Sequence, residues 1–114
     1  MNPGRYNINV YKGTTFSLAP VWKIDNLPVD ITGYSAKMQV RASADSAVIV
    51  ELSTSNGRAV ISGALGKTTL TLTATETAAL DAGNYFYDLN LTSPSAVVTK
   101  ILEGSFVVEA SVTN

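Results

Sequence analysis

Cysteine and histidine are both absent from the 114 residues. Without cysteine no disulfide and no thiolate metal site can form. Without histidine the chain lacks the commonest general base and metal ligand, and every triad built on imidazole. Charge is sparse as well: 15% of residues are charged, eight basic against nine acidic, for a formal net charge of −1. The basic residues form no stripe, so nucleic acid is not an expected partner. No apolar run approaches the ~18 residues of a membrane-spanning helix, so no membrane is expected either. The lead 1–5 (Met-Asn-Pro-Gly-Arg) has no apolar core of a signal peptide. With no cysteine, this points to a protein made in a reducing cytoplasm.

What the chain does have is apolar material, 46% of it, laid out in alternation. From Tyr85 to Leu91, Tyr85, Tyr87, Leu89 and Leu91 share one parity and Phe86, Asp88 and Asn90 the other. A half-buried antiparallel strand has this pattern, because successive side chains leave opposite faces. The same period predicts strands over 6–11, 14–23, 34–42, 48–53, 58–62, 67–73 and 97–109. Inward positions include Ile8, Val10, Phe16, Leu18, Trp22, Ala36, Met38, Val40, Leu70, Leu72, Leu102, Phe106 and Val108. Pro20 cannot donate to a ladder, so the second strand is expected at an edge or with a bulge at that point. Ser55-Asn56-Gly57 predicts a hairpin between the strands on either side of it. Residues 24–33 read as a loop with a turn at Asp25-Asn26. Residues 75–80 read as one helical turn, capped by Thr75. Gly104 interrupts the last strand, and a bulge or the approach of an aromatic ring is the expected cause.

Seven to eight short strands, each with one apolar face, define an all-β protein of two packed antiparallel sheets. Tyr85 stands two residues before Tyr87 at the start of its strand. This is like the tyrosine corner of immunoglobulin-type sandwiches, whose hydroxyl bonds back to the backbone upstream. The expected fold is therefore an Ig-like antiparallel β-sandwich with one short helical turn. Its body spans 6–109, between a flexible N-terminal arm, 1–5, and a C-terminal tail, 110–114.

Reactive constellations are missing. Asp88 and Glu103 are expected to be neighbours if the last two strands pair, but two carboxylates on a solvated face make no cleft. Asp25, Asn26 and Asp30 lack the spacing of a calcium loop. The expectation is no enzyme, no metal and no cofactor. One surface suggests contact instead: Tyr11, Phe86, Ile101 and Val107 lie on parities opposite the core, and contiguous exposed apolar groups mark interfaces. The rival reading of such a surface is a carbohydrate-binding or adhesion module, with Trp22, Tyr11 and Phe86 as aromatic platforms.

An ordered series of short motifs bears on the choice. Lys12-Gly13-Thr14-Thr15-Phe16 is followed by Trp22-Lys23, by Pro28-Val29-Asp30-Ile31-Thr32-Gly33-Tyr34 and by Lys37-Met38-Gln39-Val40-Arg41. Then come Leu70-Thr71-Leu72-Thr73-Ala74, the stretch from Leu80-Asp81-Ala82-Gly83-Asn84 to Leu89, and Leu102-Glu103-Gly104-Ser105-Phe106-Val107-Val108. This order resembles small virion proteins of tailed bacteriophages, in particular the Ig-like N-terminal domain of phage upper-baseplate proteins. The resemblance implies a virion structural protein: a head decoration protein, a neck or tail accessory, or a baseplate or fibre adaptor. Its implied partners are capsid, tail or fibre subunits in a symmetric, multi-copy assembly, and its implied location is the virion.

Overall fold

The structure is a computed structural model and describes residues 4–110. Eleven strands are present among the described residues. They are β1 (Gly4–Arg5), β2 (Ile8–Tyr11), β3 (Phe16–Leu18), β4 (Lys23–Ile24), β5 (Leu27–Pro28), β6 (Ser35–Arg41), β7 (Val48–Ser53), β8 (Ala59–Ser62), β9 (Lys67–Leu72), β10 (Gly83–Thr92) and β11 (Val98–Glu109). A 3₁₀ turn (Gly63–Leu65) and one short helix, α1 (Ala74–Ala78), complete the set. Eight strands are three residues or longer, and they build the sandwich.

One sheet runs β1-β11-β10-β6-β7, with β2 also paired to β11; the other runs β3-β9-β8. The order β11-β10-β6-β7 is the G-F-C-C′ order of immunoglobulin domains, and β3-β9-β8 is their B-E-D order. The Tyr85 hydroxyl donates to the Asp81 carbonyl at 2.8 Å, which closes the tyrosine corner. The protein is therefore an all-β, Ig-like sandwich. Its first strand, split into β1 and β2, runs parallel to β11 rather than beside β3.

The inward parities meet between the sheets as expected. Ala36, Met38 and Val40 from β6 face Leu70 and Leu72 from β9, with Tyr87, Leu89, Leu91, Phe106 and Val108 completing the core. No disulfide pins the layers together. Phe106 does so instead. Its ring stands edge-on to Phe16 of the opposite sheet (centroids 6.0 Å, 72°) and to Tyr87 beside it (6.5 Å, 69°). Edge-to-face rings add to the area they bury because ring edges are positive and faces negative.

Several expectations need correction. Gly4 and Arg5 do not belong to a loose arm: they pair with Leu102 and Glu103. Residues 1–3 of the arm and 111–114 of the tail lie outside the described residues. The second strand is shorter than 14–23, though β3 is an edge strand as Pro20 suggested. The Asn56-Gly57 turn joins no hairpin, because β7 and β8 belong to different sheets. Only Gly57 has a positive φ there. Asn56 uses its side-chain oxygen to accept from the Ser53 and Arg58 amides, which carries the chain from one layer to the other. A two-residue hairpin does form at β4–β5, where Asp25 and Asn26 both take positive φ (53° and 65°). Asn and Asp tolerate that region better than other non-glycine residues.

Helix α1 is capped by Thr73 and not Thr75. The Thr73 hydroxyl accepts from the Glu76 amide at 3.1 Å, and the Glu76 carboxylate accepts from the Thr73 amide at 2.8 Å. This reciprocal pair satisfies two donors that the first helical turn leaves open. Arg58 from the chain after β7 adds a bond from Nε to Glu76 Oε2 at 2.6 Å. The Thr73 amide, against some loss of hydration and with Arg58 assisting, holds the Glu76 carboxyl below its usual range. A carboxyl whose folded pKa is lowered adds stability above its ordinary pKa, and that stability disappears as pH falls through the lowered value. Glu76→Gln keeps the capping shape without the charge. Urea midpoints of the wild type should exceed those of the variant at neutral pH, and the gap should close in acid below the usual glutamate range. A gap that persists unchanged there would mean the charge contributes nothing.

Candidate interaction face

The outward side chains of the larger sheet fall into cross-strand rows. Arg41, Phe86 and Ser105 form one row on β6, β10 and β11. Two residues along, Glu51, Gln39, Asp88, Glu103 and Arg5 form a second row across β7, β6, β10, β11 and β1. Lys37, Asn90 and Lys100 form a third. Asn9, Val107 and Asn84 lie on the other side of the Phe86 row.

This face is held by polar contacts. Gln39 donates to Glu51 at 3.0 Å, which holds the Glu51 carboxyl below its usual range; nearby Lys37 assists against some desolvation. Arg41 donates to the Ser46 carbonyl at 2.6 Å and to the Gln39 side-chain oxygen at 3.0 Å. Asp88 and Glu103 are direct cross-strand partners, as the pairing of the last two strands requires. Two like charges so placed repel. Lys100 Nζ relieves this, lying 3.4 Å from Asp88 and 3.7 Å from Glu103, and Arg5 reaches Glu103 at 3.3 Å. The pair is thus a neutralised network rather than an acid and a base. Among the described residues no group of three or more Asp or Glu side chains could hold a metal ion. Asp30, from the weighed calcium set, accepts from the hydroxyl and amide of Thr32, and these bonds hold its carboxyl below the usual range.

The four residues expected at an interface do not stay together. Phe86 and Tyr11 are exposed, at 58% and 52%. Val107 is half-buried and lies on the same face, between them. Phe86 opposes Ser105, two residues from Val107; Val107 opposes Asn9, two residues from Tyr11. The three therefore form a diagonal across β10, β11 and β2. Ile101 is not part of it. The register shifts between Leu89 and Asn90: Leu89 opposes Leu102, Asn90 opposes Lys100, and Ile101 between them is the unpaired residue of a bulge that packs half-buried against the core. A β-bulge of this kind resets the alternation, which a strict two-residue period cannot foresee.

Trp22 is no platform. It is half-buried, stands edge-on to Tyr34 at 6.4 Å and packs against the core. A different exposed feature was missed by the sequence reading. Ile24 and Leu27, paired across the β4–β5 hairpin, project from the end of the sandwich near Trp22. The Asp-Asn turn was visible, but two-residue strands are too short to show a period.

Neither a protein-family model nor a curated relative matches the chain. Many solved structures overlap it, two of them as follows. One, titled as murine CRIg, is 12% identical, covering 96% of this chain and 93% of that one, at a TM-score of 0.43. The other holds extracellular domains 3–5 of Drosophila OTK and is 16% identical, covering 94% of this chain and 32% of that one, at a TM-score of 0.33. The fold assignment rests on strand order and the tyrosine corner, not on these overlaps.

Proposed function

We propose that this chain is a structural protein of a tailed-bacteriophage virion, built into the particle by protein–protein contacts and performing no reaction. The observation that carries the reading is the Phe86–Val107–Tyr11 diagonal on the outer face of the larger sheet. It supplies an apolar strip on a rigid sheet with a charged surround, the arrangement of a contact core and its rim. The ordered motifs that resemble phage baseplate Ig-like domains supply the setting. They fall on framework positions here: Lys37 to Arg41 on β6, Leu70 to Leu72 on β9, and Leu102 to Val108 on β11. The partners are other virion subunits, the copies are many and symmetric, and synthesis takes place in the host cytoplasm. The station is a head decoration, a neck or tail accessory, or a baseplate or fibre adaptor.

A stable contact buries roughly 1,200–2,000 Å² in total, so truncation of a central aromatic residue is felt strongly. Val107→Asp places a charge in the middle of the strip without touching the core. The expected result is a folded protein, shown by unchanged Trp22 emission, that no longer joins particles when expressed during phage growth. Phe86→Asp should behave the same way. Normal incorporation of both variants, measured by mass spectrometry of purified heads and tails, would remove this face from the assembly.

A further inference from the structure

We propose that the outer face of the larger sheet carries a second site, a groove that takes a neutral oligosaccharide with Phe86 as its stacking platform. The groove runs from Phe86 toward Asp88, Asn90 and Glu103, away from Val107 and Tyr11; it shares Phe86 with the diagonal but does not rest on the assembly reading. Its volume is about 510 Å³, and Gln39, Arg41, Phe86, Asp88, Asn90 and Glu103 line it. Small-ligand sites run to roughly 300–1,000 Å³.

Electrostatics narrows the ligand. An anion meets the Asp88 and Glu103 carboxylates. A simple cation finds its place taken by Lys100, which already sits against both. An apolar molecule would cover Arg41, Asp88 and Asn90 and leave them without water, which is costly for polar groups. Across the three rows Arg5, Lys37, Arg41 and Lys100 stand against Glu51, Asp88 and Glu103, so the face carries little net charge. What remains is a neutral molecule rich in hydroxyls. These both donate to the carboxylates and accept from Arg41 and the Asn90 amide, while a C–H face of the ring lies on Phe86. Asn90 makes no side-chain hydrogen bond among the described residues, so both ends of its amide are open to a ligand. Arg41 and Gln39 are already fixed by the bonds to Ser46 and Glu51, so little rotamer freedom is lost on binding.

The test is a titration of the isotope-labelled chain with maltotriose, cellotriose and N-acetylchitotriose, followed by amide chemical shifts. At least one sugar should move the amides of Phe86 and Asn90 and the side-chain amide of Gln39, and leave Ile24 and Leu27 at the hairpin unmoved. Phe86→Ala should weaken binding about tenfold, and Asn90→Ala several-fold, as loss of an anchoring ring or of a paired polar group does. Both side chains face outward, so Trp22 emission should confirm that the variants fold. No shift with any of the three sugars would overturn the proposal. So would binding that survives Phe86→Ala unchanged. Shifts at these same residues on raising protein concentration alone, with none from sugar, would mark a protein contact and overturn it too.

Discussion

Phe106→Ala is expected to lower the unfolding free energy by about 3–5 kcal/mol, the usual cost of emptying a large buried aromatic site. The ring is fully buried. It touches Phe16 across the layers and Tyr87 within its own sheet. In many sandwiches of this order a disulfide joins strands B and F at this depth; here Phe106 bridges the layers by packing alone. Removing it opens a void bounded by both sheets, and neither can collapse without disturbing its own ladder. A domain of this size has about 5–15 kcal/mol in total, so the variant should sit near its folding threshold. Phe106→Leu fills most of the space and should cost less than half as much. The measurement is urea unfolding followed by Trp22 emission, with the loss read from the midpoint. A loss under about 1 kcal/mol for alanine would mean that the layers are held elsewhere.

The reach of the sequence can be judged from particular residues. Parity alone placed Met38, Val40, Leu70, Leu72, Leu89 and Phe106 correctly, and all are buried. Side-chain direction in a strand is a local property, so a local period reports it. Asn56-Gly57 misled because a turn signal says that the chain reverses, not that the two arms pair. Which sheet a strand joins is decided by long-range packing. Ile101 misled because it is the extra residue of a bulge in β11, left without a partner on β10, and nothing in its own composition announces that. Thr73 could have been found: Thr-x-x-Glu before a short helix is a capping signature, and Thr73 to Glu76 spells it. On the candidate face, Phe86, Val107 and Tyr11 were legible as outward residues. Their diagonal was not, because it depends on β2 pairing parallel with β11.

Gly104→Ala should be the most damaging single-methyl change in the chain, against its intrinsic preference. Alanine favours a strand over glycine by about 0.5–1 kcal/mol. The sequence suggested a bulge or an aromatic ring beside Gly104; the structure shows backbone. A Cβ there would lie 2.1 Å from the Tyr6 carbonyl oxygen and 2.8 Å from its carbon. Tyr6 cannot easily retreat. Its amide donates to the Glu103 carbonyl at 3.0 Å, and its carbonyl accepts the Tyr87 hydroxyl at 2.6 Å. Overpacking against fixed backbone costs about 3 kcal/mol. Displacing the carbonyl also strands the buried Tyr87 hydroxyl, which costs about 1–3 kcal/mol more. The two costs share one atom, so they should not add independently. In a Tyr87→Phe background there is no hydroxyl to strand, and the penalty of Gly104→Ala should shrink by about 1 kcal/mol. A second readout follows from the phenol. Burial, with Tyr6 nearby, pushes the Tyr87 hydroxyl well above the ordinary tyrosine range. If Gly104→Ala forces the carbonyl away and lets water in, Tyr87 should titrate nearer its ordinary value in ultraviolet difference spectra. An additive double variant with an unchanged phenol would mean that the first strand shifts as a unit and keeps the bond, and that the glycine makes room for nothing that the fold depends on.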